Sequence, residues 1–181
     1  SKGIGKAIIE QLVDYCAIVN ISRTSPSITH QNLTHYSCDV LQDELPEIEV
    51  ADTLIYCPGS INLKAIQKYL PIIKNGNTPS ILLFSTVAAK LGMPFHASVA
   101  TAKSGVEGLV KSLGAELAPT VRVNAIAPTV TNTELASKLL RNEKMIENIT
   151  ERHPLKKFLN PKEVADMAEF LISDKAASLS G

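Results

Sequence analysis

The sequence SILLFSTVAAKLGMPFHASVATAKSGVEGLVKSLGAELAPTVRVNAI, residues 80–126, carries the clearest indication of the fold. It opens on an apolar run at 80–84 and closes on a second short run at 121–126 that is rich in β-branched residues. Between them, residues 98–118 have the length and composition of a helix, which Pro119 ends. A strand, a helix and a strand in this order predict a parallel βαβ unit.

Outward from this unit, the chain alternates in the same way. The remaining expected elements before it are a helix over 6–15, a strand over 17–21, a very short strand over 38–40, a strand over 53–57 and a helix over 65–74. After it, Asn160, Pro161 and Glu163 form a helix start. That helix is expected to run through Leu171. Apolar strands separated by helices predict an α/β protein with a doubly wound parallel sheet of the Rossmann type, in a single domain over 1–181.

The charge balance and the cysteine positions limit the classes of function that the chain can have. The 18 Lys+Arg balance the 18 Asp+Glu, so no global field attracts nucleic acid or an anionic membrane, and we expect neither as a partner. No apolar run approaches the ~20 residues of a transmembrane span. Cys16, Cys38 and Cys57 lack metal-ligand spacing. We therefore expect no metal site, reduced thiols in the core and a cytoplasmic protein.

Two glycines, Gly3 and Gly5, stand at the expected start of the first helix, in SKGIGKAIIEQL. Glycines at a helix N-terminus allow backbone N–H groups to approach a pyrophosphate, and the helix dipole favours its negative charge. Taken alone, the same pattern also fits a plain glycine-rich helix cap.

Further motifs agree in order, and through them the chain resembles the short-chain dehydrogenase/reductase family over nearly its whole length. Residues 1–5 look like the end of its TGxxxGIG loop, without the preceding strand and the first glycine. Asp39, with Val40, is similar to the short strand whose Asp contacts adenine. Residues 56–59, YCPG, stand where the family has NAG.

A last cofactor motif lies in residues 122–128, RVNAIAP, with Thr133 beyond it. It resembles the family's RVN…PG…T segment, which lines the nicotinamide and the pyrophosphate, although Thr129 replaces the glycine. The resemblance implies that the dinucleotide is bound by Ser1, Lys2, Gly3, Ile4, Gly5, Arg23, Asp39, Val40, Cys57, Pro58, Gly59, Lys103, Pro128, Thr129 and Thr133.

The choice between NAD and NADP rests on the end of the second family strand, where an acidic residue would bind the ribose 2′-OH and an arginine a 2′-phosphate. Arg23 stands there, Lys2 lies in the glycine loop, and no Asp or Glu is present at the strand end. The pattern favours NADP over NAD. The alternative is that Arg23 and Lys2 are ordinary solvated cations.

In the family, a tyrosine moves the substrate proton, and a lysine four residues later lowers its pKa and holds the nicotinamide ribose. A hydroxyl residue thirteen positions before the tyrosine orients the substrate carbonyl. By resemblance, Lys103 is the lysine and Thr86, with Ser85 beside it, is the hydroxyl residue, but the tyrosine position holds Val99. No other tyrosine is followed by a lysine at this spacing. Two of the three catalytic positions are therefore filled.

Valine cannot perform general acid–base catalysis, so the proton has to come from another group. His96 lies three residues before Val99 and seven before Lys103, which places all three near one helix face if the helix includes His96. Lys103 itself and a bound water are the other candidates, and His96 also fits a plain loop residue.

Three gaps relative to the family are expected: the first strand, part of the region near 64–65, and the last strand. The gap near 64–65 is either a true deletion or, as we favour, residues that the given chain omits, and the alternative is an intact, compact chain. The region near 64–65 is where the family carries a relay asparagine, for which Asn62 is a poor match. Small residues at Gly105 and Gly108, with Ala102 and Ser112, line the long helix. In the family this helix pairs between subunits, which implies a homodimer or homotetramer, although such a stripe also serves internal packing.

The sequence therefore predicts an NADP-dependent oxidoreductase of the short-chain dehydrogenase/reductase type that acts on a small carbonyl or alcohol substrate. The alternative is a catalytically degenerate dinucleotide-binding protein, a sensor or the silent partner of an active subunit. Val99 favours the alternative, and retention of Thr86 and Lys103 favours the enzyme.

Overall fold

The structure is a computed structural model that describes residues 2–59, 63–138 and 141–181. Its strands are β1 (Ile18–Ser22), β2 (Leu33–Ser37), β3 (Thr53–Tyr56), β4 (Ser80–Phe84) and β5 (Arg122–Ile126). Its helices are α1 (Gly3–Leu12), α2 (Leu63–Ile73), α3 (Ala97–Leu117), α4 (Glu143–Arg152) and α5 (Pro161–Ile172). Short 3₁₀ turns cover Val87–Ala89, Glu134–Lys138 and Asp174–Ala176.

All strand pairs are parallel, as the sequence predicts. β1 pairs with β2, and β3, β4 and β5 pair in that order. The chain therefore makes a crossover connection between paired parallel strands, and the loops that follow the strands lie at one edge of the sheet.

Strand β4 shows that helices cover both faces of the sheet, since all five of its residues are buried. Ile81 and Leu83 pack into a core with α2 and α3, whereas Leu82 and Phe84 pack into a second core with α1 and α5. Alternate residues of one strand thus point into two different cores. The doubly wound parallel sheet is confirmed.

The two strand groups lie in the same layer, although β1 and β3 are not hydrogen-bonded to each other. Ile18 of β1 and Ile55 of β3 pack on the α1 and α5 core. Ile21 of β1 and Leu54 of β3 pack on the α2 and α3 core. Both groups are consequently sandwiched between the same two helix layers.

The expected strand over 38–40 is wrong. The strand is β2, Leu33–Ser37, and Cys38 is the point where it ends, with its N–H 3.3 Å from the carbonyl oxygen of Ser22. The sequence LTHYS carries few apolar residues because most of its side chains are exposed or half-buried, so the strand gave a weak signal.

Helix α4 was also missing from the expectations. It has no buried residue, so its sequence has no apolar stripe from which the helix could be predicted. A cap does mark its start, because the Asn142 side chain accepts a hydrogen bond from Met145 N. The start of α5 is confirmed as predicted: Asn160 is the N-cap and forms a capping box with Glu163.

Arg122 at the start of β5 closes the carboxyl end of α5. Its guanidinium donates to the carbonyl oxygens of Leu171 at 2.7 Å, Ile172 at 3.3 Å and Ser173 at 3.3 Å, and to Ala176 just beyond at 3.1 Å. The last carbonyls of a helix have no partners within the helix, so one planar cation satisfies several at once.

We predict that Arg122→Met lowers the free energy of unfolding by about 2 kcal/mol, because hydrogen bonds from a charged donor are lost and half-buried carbonyls are left without a partner. Urea denaturation followed by circular dichroism measures the loss. The control is Lys111→Met on the exposed face of α3, which should change stability by less than about 0.5 kcal/mol. Equal stability of the two variants would contradict this role.

Candidate active site

The predicted site residues gather at the carboxyl edge of the sheet. A segment follows each of the five strands there, and these segments carry Arg23, Asp39 with Val40, Cys57 to Gly59, Ser85 with Thr86, and Pro128 to Thr133. Ligands of open α/β sheets bind in the crevice outside the carboxyl ends of the strands. The topology alone therefore brings residues from distant parts of the chain to one crevice.

The glycine loop contacts the segment that follows β5. Gly3 has a φ of 55°, and a Cβ on it would lie 3.3 Å from Thr133 Cγ2. The left-handed conformation favours glycine, and a side chain here would push against Thr133. Ile4 and Gly5 lie in the first turn of α1, where backbone N–H groups have no partner within the helix. This cradle fits a pyrophosphate group; Ser1 lies outside the described residues.

Both cations expected near a 2′-phosphate contact carboxylates. Lys2 Nζ lies 2.8 Å from Glu134 Oε2, and both side chains are exposed. Arg23 Nη1 lies 3.8 Å from Asp39 Oδ2, so the structure brings these two predicted residues together. Exposed ion pairs of this kind contribute little stability, so a phosphate can displace either carboxylate at small cost.

Lys103 lies at the centre of the site. Its side chain is buried, and its Nζ donates to the carbonyl oxygen of Phe84 at 2.8 Å and to that of Pro58 at 3.3 Å. Burial lowers the pKa of Lys103 below its ordinary value, and the neighbouring Cys57 thiol acts in the opposite direction. The ammonium group thus ties α3 to the ends of β3 and β4 and keeps one N–H for another acceptor.

The two candidate hydroxyls have different surroundings. Ser85 is buried, and its Oγ donates to Glu107 Oε1 at 2.9 Å, with the Lys103 carbonyl oxygen 3.3 Å away. Thr86 is half-buried, and its Oγ1 accepts a long hydrogen bond of 3.4 Å from Ala88 N. The proton of the Ser85 hydroxyl is therefore engaged inside the fold, whereas the Thr86 hydroxyl keeps its proton for an outside acceptor.

Val99 lies one helical turn before Lys103 on α3 and is 46% exposed. His96 is the N-cap residue of that helix, and its Nδ1 lies 2.7 Å from the carbonyl oxygen of Pro94. Because a carbonyl only accepts, Nδ1 carries a proton and Nε2 of the neutral ring is an acceptor. His96 can therefore release a proton from Nε2 only as an imidazolium.

Several residues differ from their expected surroundings. Cys57 was expected in the core and is exposed, while Cys38 is buried. In the motif at 122–124, Asn124 donates to the Leu179 carbonyl oxygen and so holds the carboxyl-terminal residues. Pro128 lies beside the segment after β4, because its carbonyl oxygen accepts from Val87 N at 3.2 Å. Thr129 likewise accepts, through its carbonyl oxygen, from the Thr131 hydroxyl at 3.0 Å.

Sequence reasoning missed two carboxylates at the site. Glu107 binds Ser85 and also lies 3.6 Å from Lys90, and Glu134 pairs with Lys2. The spacing of Glu107, four residues after Lys103 on the same helix, was an available signal. Nothing in the sequence indicated the pairing of Glu134 with a residue 132 positions away.

Neither a metal site nor a membrane-spanning helix is found in the part of the chain that the structure describes. No three His, Cys, Asp or Glu side chains come together there to hold a metal ion. None of its helices combines the length and the apolar character needed to cross a membrane.

Comparisons with known proteins show the family of this chain. Residues 60–181 match the family described as enoyl-(acyl carrier protein) reductase. The chain is 36% identical to the probable galactose dehydrogenase of Rhizobium meliloti over 126 residues, which cover 67% of this chain and 49% of that protein. It is 30% identical to carbonyl reductase [NADPH] 2 of Sus scrofa over 128 residues, which cover 67% of this chain and 52% of that protein.

The fold agrees with solved structures as well. Ligand-free aldohexose dehydrogenase of Thermoplasma acidophilum superposes with a TM-score of 0.83 at 24% identity, and the match covers 99% of this chain and 86% of that one. This likeness shows the fold alone. The matches to the curated relatives named above span about half of their length. The chain belongs to the short-chain dehydrogenase/reductase family, and its fold is the Rossmann fold of that family.

We predict that Ser85→Ala lowers the free energy of unfolding by about 1 to 2 kcal/mol, because it leaves the partly buried Glu107 carboxylate without its hydroxyl donor. Urea denaturation measures this, and Ser178→Ala, at an exposed serine outside α3, is the matched control. A double-mutant cycle with Glu107→Gln should show a coupling of at least about 0.5 kcal/mol. Additive effects would mean that the hydroxyl does not act through Glu107.

Proposed function

We propose that this protein is an NADP-dependent oxidoreductase of the short-chain dehydrogenase/reductase type that acts on a small carbonyl or alcohol substrate. The observation that carries the proposal is the convergence at one sheet edge of the Gly3 cradle, Thr133, Lys103 and Thr86. A buried lysine whose pKa is lowered, at the same sheet edge as an available hydroxyl, is the arrangement expected of a functional site.

Each residue takes a defined role in this proposal. The backbone N–H groups of the first turn of α1 hold the pyrophosphate. Lys103 donates its remaining N–H to a ribose hydroxyl of the dinucleotide. Thr86 donates to the substrate oxygen and thereby polarises the carbonyl, whereas Ser85 fixes the turn that carries Thr86. When bound, the dinucleotide supplies or accepts the hydride.

The preference for NADP rests on Lys2 and Arg23. Both are exposed cations at the crevice, and both have only weak carboxylate partners. A 2′-phosphate offers more charge than either carboxylate and three acceptor oxygens. The relative from Sus scrofa is named for NADPH, which supports the same choice.

The proton comes from a group other than Val99. One candidate proton donor is His96 in its imidazolium form, two turns before Lys103. Another is Lys103 itself, because burial lowers its pKa and makes proton release easier. A bound water is the third source. All three are expected to be slower than a phenol placed at position 99, since each lies further from the substrate oxygen or is held by other bonds.

A second function is favoured by one observation. The position that the family uses for proton transfer holds a half-exposed valine, so a protein that binds the dinucleotide without turnover, as a sensor or a silent subunit, fits the same site. The two functions share the coenzyme and differ only in whether hydride moves.

The domain and its assembly are also part of the proposal. A further parallel strand between β1 and β3 would join the two strand groups, which already share both helix layers. Gly181 N donates to the Val123 carbonyl oxygen of β5 at 2.8 Å, and the last family strand stays a prediction. Lys64 and Ala65 are consecutive residues of helix α2. A gap relative to the family at this point stays a prediction. Asn62 lies outside the described residues.

The long helix α3 supports assembly into a homodimer or homotetramer. Gly105, Gly108 and Ser112 are exposed on it, and a Cβ on Gly108 would meet nothing within 4 Å. Glycine inside an exposed helix costs about 1 kcal/mol relative to alanine, so close approach of a second subunit explains it. The cytoplasmic location stays a prediction.

Fluorescence titration with NADPH and NADH tests the proposed function. The protein should bind NADPH saturably, and the double variant Lys2→Ala with Arg23→Ala should weaken NADPH binding at least about tenfold, because charge-assisted bonds to the 2′-phosphate are lost. NADH binding should change by less than about twofold. Lys111→Ala is the control. Absence of saturable binding would refute both functions, and equal losses for the two coenzymes would refute the NADP preference.

A further inference from the structure

Four large apolar side chains are exposed on the segments that border the site after β4 and β5. They are Leu91 at 61%, Phe95, which is fully exposed, Val99 at 46% and Leu135 at 92%. We call these four residues the apolar rim. Single exposed apolar residues are ordinary, but four on two neighbouring segments that border a binding crevice point to a ligand.

The two segments start side by side. β4 and β5 are neighbouring parallel strands, and Val87 N donates to the Pro128 carbonyl oxygen at 3.2 Å just beyond their ends. The first segment also leads directly into α3, which carries Val99 and Lys103. The apolar rim thus belongs to the same crevice as Lys103 and Thr86.

Several polar side chains on the same segments are already bonded within the chain. Lys90 lies 3.6 Å from Glu107, and His96 Nδ1 donates to the Pro94 carbonyl oxygen. The Thr133 hydroxyl accepts from Ala136 N, and the Glu134 carboxylate pairs with Lys2. These four polar groups are therefore less available to a ligand than the apolar rim, which favours an apolar ligand over a polyhydroxylated one.

Phe95 adds a second, independent observation. Its φ is 63°, a left-handed conformation that is uncommon for a bulky residue and costs free energy. The ring lies in solvent, so no burial within the chain offsets the free-energy cost of this conformation. Strain of this kind persists at binding sites, where contact with a ligand gives it a use.

We propose that the apolar rim binds the apolar part of the substrate, an aliphatic chain or a hydrocarbon ring next to the reacting carbonyl or alcohol carbon, and not a sugar. This assignment rests on the proposed function and narrows its substrate class. It separates this chain from its relative named galactose dehydrogenase. Val99 then has a role of its own, because it extends the apolar surface to within one helical turn of Lys103.

The test measures ligand binding and does not depend on turnover. Saturation-transfer NMR gives the Kd of octan-2-one and of D-galactose, each with and without saturating NADP⁺. Four proteins are compared: wild type, Phe95→Ser, Leu135→Ser and Val50→Ser. Val50 is the matched control, since it is 78% exposed but precedes β3 and so lies at the opposite edge of the sheet.

Octan-2-one is expected to bind the wild type saturably. Phe95→Ser and Leu135→Ser should each raise its Kd roughly tenfold, because each removes most of an apolar side chain from the contact. Val50→Ser should leave this Kd within about twofold of wild type, and D-galactose should show no saturable binding to any of the four.

Several results would overturn the assignment: no saturable binding of octan-2-one, equal Kd values in all four proteins, or tighter binding of D-galactose. A fourth is loss of self-association in Phe95→Ser by sedimentation velocity with the octan-2-one Kd unchanged, which would make the rim a subunit contact. Failure of the proposed function looks different. Octan-2-one would then still bind in a rim-dependent way while NADP⁺ does not bind.

Discussion

The arrangement of the site depends on one buried cation. The Lys103 ammonium group joins the carbonyl oxygens at the ends of β3 and β4 to helix α3, so three elements hold a fixed position at the carboxyl edge. An ammonium in this place is costly to bury, and its two carbonyl partners offset the cost. Thr86 and Val99 are positioned by the same contact, because one follows β4 and the other precedes Lys103 by a turn. A change of the lysine would therefore disturb the hydroxyl as well as the coenzyme contact.

The fold could be predicted from the sequence where burial dictates composition. β4 is apolar because both of its faces are covered, and α5 begins where Asn160, Pro161 and Glu163 satisfy its first N–H groups. β2 and α4 could not be predicted because neither buries a continuous apolar face, so their sequences show no apolar periodicity. Elements that rely on a neighbour for their stability, and bury little themselves, carry the weakest sequence signal.

For the site, the sequence identified which residues gather but not how each one is used. The spacing from Lys103 led to Thr86 and Ser85 alike, and only the packing of α3 against β4 shows that Ser85 donates to Glu107. The pairing of Lys2 with Glu134 joins residues at opposite ends of the chain and has no local signature. The exposure of the apolar rim likewise follows from the fold, since sequence alone cannot distinguish an exposed phenylalanine from a core one.

The proposed site keeps Lys103 and Thr86 and has a valine where the family places its proton donor. NADPH-dependent turnover of a panel of carbonyl compounds by wild type, Val99→Tyr and Val99→Phe shows whether this valine limits the reaction, because the last two proteins differ only in the hydroxyl. Val99→Tyr should exceed both others by at least about 100-fold, the lower limit for general acid catalysis, with unchanged NADPH affinity. Equal rates for Val99→Tyr and Val99→Phe, with NADPH bound normally by both, would show that the missing hydroxyl does not limit turnover and would refute this interpretation.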